Sequence, residues 1–325
     1  MFRILVAIIL ALFIYSNWTL WRDKAIEGIK DISIEQGASV TNIINQLEAE
    51  EIIHSASFTR LYLALTGNDV NIQAGNYSFS GEINLRQVLE ILKGGAEGKK
   101  EITVTFIEGW DIDEMATYLS EQNIVTEREF LKAVDNSYDV SIIDSVPRSR
   151  DDLEGYLFPD TYNIFANVTA EELVEKMLKN LEVKINEDLL SEIKRQGKTV
   201  DEIIIMASIL EKELIKADEK KIGAGVLYNR LENGIALQVD SSVNYITGKN
   251  TPRASFKDLE VDSPYNTYKY RGLPPGPISN PGLESIEAAI YPEEHNYLYF
   301  LTTPEGSAIF NQTLEGHNAS KAKYY

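Results

Sequence analysis

Cysteine is absent from this 325-residue chain, so neither a disulfide framework nor a thiolate-held metal can contribute to its fold or chemistry. Histidine is scarce. His54, His295 and His317 are the three present, and they show none of the spacings with which helices and turns present metal ligands. A Gly-x-Ser-x-Gly elbow, a phosphate loop and a dinucleotide fingerprint are all missing, which removes several common nucleophile and nucleotide chemistries. No metal and no cofactor is expected. Positive charge is in short supply, with 31 Lys and Arg against 50 Asp and Glu and a net charge of −19. Phosphate backbones are neutralised by clustered cations, so no nucleic-acid partner is expected. Nor should the body of the protein lie on an anionic lipid surface. After Trp21 no apolar run approaches the length of a membrane span.

Before Trp21 there is one. Ile4 to Tyr15 is unbroken apolar sequence, and Phe2 to Trp21 gives 20 residues with Arg3 near one edge and Arg22 past the other, enough to cross a hydrocarbon layer of about 30 Å. Tyr15, Trp18 and Trp21 suit the aromatic belt at a membrane interface. A cleaved signal peptide is the rival reading, but no small-x-small cleavage site follows. Residues 1–28 are therefore expected to be an uncleaved anchor and juxtamembrane segment.

The remainder reads as α+β. Ile29 to Ile34 alternates like a strand, then Gly37 precedes a helix carrying Val40, Ile43, Ile44 and Leu47. The phrase recurs. Ile34, Gly37, Val40, Ile43, Leu47, Ile52 and Phe58 line up with Phe106, Gly109, Ile112, Met115, Leu119, Ile124 and Phe130, the pattern of an internal duplication. Gly94 to Gly98 is the expected joint. Residues 170 to 233 carry helical periodicity, and short strands with Gly/Pro-rich loops follow.

The segment Val200 to Ala217 is where chemistry is expected. Helical spacing puts Glu211 on a face with Ile204, Ala207, Ser208, Leu214 and Ile215, and Glu213 near Lys216. A carboxyl against apolar walls has its charged form disfavoured and suits a general acid. The bland alternative is a glutamate that reaches solvent past the helix end. Leu237 to Ser242 reads as a strand with Gln238, Asp240 and Ser242 on a polar face. Tyr265, Asn266, Thr267 and Tyr268 offer aromatic and amide surface for sugars, although the same residues can form an ordinary polar turn.

At these residues the chain resembles the endolytic murein transglycosylases, the YceG-like family. The resemblance rests on Leu153-Glu154-Gly155-Tyr156-Leu157-Phe158-Pro159-Asp160-Thr161-Tyr162, Ala207 to Glu213, Leu237 to Asp240, Tyr265 to Tyr268, Gly272 to Gly282 and His317-Asn318, in the family's order. It implies an N-terminal transmembrane helix, a LysM-like α/β subdomain over residues 29–97 and a mixed α+β catalytic domain over 98–325, with 98–162 as the second strand–helix repeat. It also implies Glu211 as acid and then base in a cut that leaves 1,6-anhydro-muramic ends. Substrate contacts would come from Gln238, Asp240, Ser242, Tyr265, Asn266, Thr267, Tyr268, Pro274, Asn280, His317 and Asn318. The implied partners are peptidoglycan glycan strands and the peptidoglycan synthases (penicillin-binding proteins), with the catalytic domain outside the cytoplasmic membrane. Two other functions fit the residues: a non-catalytic peptidoglycan-binding scaffold, and a true muramidase using Asp240 as base. One departure is visible. Family members often carry His two residues before the position of Phe310, and here Ala308 stands there.

Overall fold

Antiparallel pairing of two strands organises the N-terminal part. In β1 (Lys24–Ile34), Ile26, Ile32 and Ile34 point inward, and a register shift between Ile26 and Ile29 interrupts the ladder beside Gly28, whose φ is 74°. That irregularity hides the start of the strand from an alternation reading, so the strand begins before Ile29. The helices α1 (Val40–Ala49) and α2 (Ala56–Thr66) follow, then β2 (Gly75–Ile83) and α3 (Leu85–Lys93). Ile32, Ile44, Leu47, Phe79 and Leu92 form their shared core.

The computed structural model describes residues 22–35, 37–66, 72, 74–93, 101–146, 153–249, 251 and 253–325. The apolar segment Phe2 to Trp21 lies outside them. Among the described residues no helix is long and apolar enough to cross a membrane. The chain divides into two compact units, Met1–Ile102 with Asn163–Asn167, and Thr103–Tyr162 with Val168–Tyr325.

The second strand–helix phrase runs through β3 (Glu101–Thr105), α4 (Ile112–Glu121), α5 (Glu127–Val134) and β4 (Thr161–Phe165), which pairs with β3. Its backbone repeats that of the first. Gly37 and Gly109 have φ of 84° and 83°, and Glu51 and Asn123 have φ of 57° and 56°. Ile52 N–H donates to Leu47 O at 2.8 Å, as Ile124 N–H donates to Leu119 O at 3.0 Å.

Seven further helices and a hairpin follow in the larger unit: α6 (Ala170–Lys184), α7 (Glu187–Arg195), α8 (Val200–Glu213), α9 (Ala217–Glu232), α10 (Asp240–Thr247), α11 (Leu283–Ile290), β5 (Tyr299–Thr302), β6 (Ala308–Asn311) and, C-terminally, α12 (Leu314–Tyr324). Capping boxes start α4, α5, α6 and α8, where Asp111, Thr126, Thr169 and Thr199 exchange hydrogen bonds with Glu114, Glu129, Glu172 and Glu202. The middle of α8 is buried on every side from Ile203 to Leu210 and packs on α9 and α11. The fold is mixed α+β.

Polar staples fasten the Gly/Pro-rich loop to this core. Buried Asn280 donates to Glu154 Oε1 at 2.8 Å and accepts from Leu157 N–H at 2.9 Å. Glu154 Oε2 accepts from Ile112 N–H at 3.2 Å, and Ile278 N–H donates to Ser208 Oγ at 3.1 Å. Gly155, at φ +85°, lies where a Cβ would stand 2.5 Å from Pro277 Cγ and 2.7 Å from Ile204 Cγ2. Gly155→Ala therefore adds a left-handed strain of about 1–2 kcal/mol to overpacking of about 1–3 kcal/mol. Its melting temperature should fall by several degrees; an unchanged melt would contradict this packing.

Candidate active site

The adjacent acidic residues of α8 have unlike surroundings. The apolar face shared by Glu211 packs on α9 and α11. There Lys220 of α9 donates to Glu211 Oε1 at 2.8 Å, with the two side chains 3% and 8% exposed. Oε2 accepts from Gly282 N–H at 3.0 Å and from Ser285 Oγ at 2.7 Å. Gly282 caps the N-terminus of α11, where a helix dipole favours an anion. Both oxygens of Glu211 are thus engaged. Its charge helps burial push the neighbouring Glu108 above the usual carboxylate range.

Glu213 has no such support. It ends α8, and Leu214 is already extended, so the helical spacing to Lys216 is broken. Lys216 pairs instead with Glu219 at 3.0 Å. Glu213 Oε1 accepts from Ser241 N–H at 3.3 Å. Burial pushes its carboxyl up, hydrogen bonding from Ser241 opposes this, and the charge of Asp240 adds to it. A helix C-terminus disfavours negative charge in the same direction. These are the surroundings of a carboxyl that keeps its proton.

The expected strand at Leu237–Ser242 is a turn leading into α10. Gln238 has φ of 55°, and Asp240 is the first helical residue. The alternation of Leu237 and Val239 arises because both side chains reach the core across this turn. Asp240 Oδ1 accepts from Tyr268 Oη at 2.7 Å. Burial first, then the hydrogen bond and charge of Asp240, raise the Tyr268 hydroxyl well above its ordinary value, so it remains a donor.

Two clefts converge on these groups. One, of about 850 Å³, is lined by Glu211, Lys212, Glu213, Arg230, Gln238, Asp240, Tyr268, Tyr299, His317, Asn318 and Lys321, among others. The other, of about 770 Å³, is lined by Trp110, Asp111, Asp113, Glu114, Tyr118, Lys212, Glu213, Asp240, Ser241 and Tyr245, among others. Lys212, Glu213 and Asp240 belong to both linings.

Of the sequence-predicted contacts, Gln238, Asp240, Tyr268, His317 and Asn318 are brought together with Glu211 in the larger cleft. His317 stacks on Tyr299 at 5.5 Å, and burial, then Lys321 and Arg230, lower its pKa. Tyr265 packs against Tyr245 of the smaller cleft at 5.3 Å. Ser242, Asn266, Thr267, Pro274 and Asn280 are buried instead. Asn266 donates to Leu259 O and Val261 O. Thr267 Oγ1 accepts from Val239 N–H and lies 2.9 Å from Ser242 Oγ. These residues shape the turn rather than face a ligand. Ala308 sits in β6, its N–H donating to Glu219 Oε2 at 3.0 Å, outside both linings. The sequence reading missed the rings of Trp110, Tyr118, Tyr245 and Tyr299. They come from three separate segments, with Trp110 just before α4 packing on Tyr118 within it at 5.1 Å.

Residues 32–323 match the model of the YceG-like family. A Bacillus subtilis (strain 168) protein named endolytic murein transglycosylase is 36% identical over 308 residues, 90% of this chain and 84% of that protein. A Streptococcus pneumoniae (serotype 2, strain D39) protein of the same name is 31% identical over 321 residues, and the match spans 58% of its length. The crystal structure of a yceG-like protein from Listeria monocytogenes superposes with a TM-score of 0.62 at 37% identity, covering 90% of this chain and 98% of that one.

Proposed function

Because the chain belongs to the YceG-like family, we propose that it is a peptidoglycan lytic transglycosylase, a lyase that cuts glycan strands internally with Glu213 as the acid. The observation that carries this reading is the position of Glu213 in the linings of both clefts. An internal cut requires sugar on each side of the proton donor, which a single blind pocket would not accommodate.

Glu213 donates its proton to the oxygen that joins C1 of N-acetylmuramic acid to the next N-acetylglucosamine. The C1–O bond breaks, and positive charge develops at C1. The Glu213 carboxylate then takes the proton of the muramic C6 hydroxyl as O6 bonds to C1, closing a 1,6-anhydro ring. Water is not consumed, so no second carboxylate has to activate it. Glu211, engaged by Lys220, Gly282 and Ser285, serves as the buried counter-ion that ties α8 to α9 and α11.

The same reading makes Phe2 to Trp21 a single membrane anchor and places the folded units outside the cytoplasmic membrane. The unit built on β1 and β2 would be the LysM-like element holding glycan. Cutting would be confined to nascent strands beside the bilayer, where peptidoglycan synthases work. The test is mass spectrometry of glycan strands digested by the full chain in detergent and by a chain beginning at Arg22, which retains all of β1. Both should release fragments ending in anhydro-muramic acid, lighter by one water than hydrolysed ends. Hydrolysed ends would make the protein a muramidase, and uncut strands would make it a binding scaffold. An inactive but folded shorter chain would overturn the assignment of the first segment as anchor alone.

A further inference from the structure

Asp240 is a second carboxylate that the reaction as written does not use, yet it lines both clefts beside Glu213. Glu213 ends α8 and Asp240 begins α10. The two helix dipoles therefore act oppositely, against charge on Glu213 and in favour of charge on Asp240. Tyr268 Oη donates to Asp240 Oδ1 at 2.7 Å, a charge-assisted bond that favours the ionised form. Among the described residues, no other side chain donates to Asp240.

Building on the assignment of Glu213 as acid, we propose that the Asp240 carboxylate stabilises the positive charge that develops at the anomeric carbon, with Tyr268 as its positioning residue. The arrangement separates two neighbouring carboxyls into a proton donor and a fixed anion by environment. No bond to Asp240 forms and no proton moves to it. The scissile oxygen receives the proton of Glu213, and the C6 hydroxyl returns one to the same group. Asp240 offsets the charge of C1 between those events.

The other charged groups lining the clefts with this pair are Glu211 and Lys212 from α8, Arg230 from α9, Lys249 and Arg253 after α10, His317 and Lys321 from α12, and Asp111, Asp113, Glu114 and Glu121 at α4, with Lys220 of α9 paired to Glu211. Arg230 donates to Gln238 Oε1 at 2.8 Å and to Ala236 O, and Lys220 is engaged by Glu211. Neither is free to neutralise Asp240.

The experiment measures rate against pH for the full chain in detergent on glycan strands, with the variants Asp240→Asn, Tyr268→Phe and Glu213→Gln. Asp240→Asn should lower kcat by ~10²–10³-fold, as removal of an electrostatic stabiliser does. It should also move the alkaline limb to lower pH, because Glu213 loses a neighbouring negative charge. Products should remain anhydro. Tyr268→Phe should cost about tenfold, the scale of a lost hydrogen bond to a charged group. That loss should fall on kcat and leave KM near the parent value, the mark of an interaction made in the transition state. A merely structural role would leave both the alkaline limb and this split unmoved. Wild-type kcat and an unmoved profile in folded Asp240→Asn, with Glu213→Gln inactive, would overturn this inference and leave the acid assignment standing. An active Glu213→Gln would overturn the acid assignment instead. Should Asp240→Asn fail to fold, the kcat-against-KM split of Tyr268→Phe decides.

Discussion

Glu213→Gln is expected to abolish cutting of glycan strands while leaving the protein folded and at least as stable as the parent. The amide keeps the volume of the side chain and can still accept from Ser241 N–H, but it has no proton to give. Loss of general acid–base catalysis is worth ~10²–10⁴-fold in rate. The stability half follows from the direction of the pKa shift. Burial raises the Glu213 carboxyl above its ordinary value, so the folded state binds this proton more tightly than the unfolded chain does. Between the ordinary pKa of about 4.3 and the raised one, stability therefore falls as pH rises. Below that window the group costs nothing through ionisation; above it the full cost applies. Glutamine removes the cost, so the melting temperature near neutral pH should equal or exceed that of the parent. In the parent enzyme, activity should decline as pH rises through the raised value, because the acid must be protonated. Rate assays and thermal melts on the same preparation check both halves. Near-parental turnover by folded Glu213→Gln would remove it from the chemistry.

Much of the architecture was legible before any coordinates. The repeated strand–helix phrase is a local pattern, and local patterns are what one sequence displays. Ile32, Ile34, Leu47 and Leu119 fell into the core for the same reason. The failures were non-local. The helical wheel identified the apolar face of Glu211 correctly but could not foresee Lys220 arriving from the next helix. Likewise, Glu213 could be paired on paper with Lys216 only while the helix was assumed to continue past Leu214. Leu237 to Ser242 alternates like a strand because a residue at positive φ, Gln238, reverses the chain between two core residues. Ser242, Asn266, Thr267 and Asn280 carry the same donors and acceptors whether they grip a sugar or staple a turn. Their burial and partners decide which, and both depend on segments far away in the chain.

Glu211→Gln should behave in the opposite way from Glu213→Gln, losing stability rather than chemistry. Its side chain and that of Lys220 are 8% and 3% exposed, so solvent does little to screen the pair. Removing one charge of a buried pair leaves the other uncompensated and typically costs about 3–5 kcal/mol. Glutamine can still accept from Gly282 N–H and Ser285 Oγ, so the hydrogen-bond pattern survives while the lysine ammonium loses its counter-charge. Lys220→Met should be destabilising by a similar amount, because it leaves the Glu211 carboxylate near Glu108, whose own carboxyl already feels that charge. The double variant Glu211→Gln/Lys220→Met removes both charges, and an apolar replacement of a buried pair is often near neutral. It should therefore recover most of the loss, giving a coupling energy of about 1–3 kcal/mol, the range found for residues in direct contact. Denaturant unfolding of the parent, the two single variants and the double variant measures this cycle directly. Turnover per folded molecule should stay within about tenfold of the parent in the double variant, since an acid–base residue would cost ~10²–10⁴-fold. A Glu211→Gln protein that melts like the parent yet cannot cut glycan would exchange the roles of the two glutamates. The proton would then come from the ion-paired carboxyl, and Lys220 would have to leave before it could be donated.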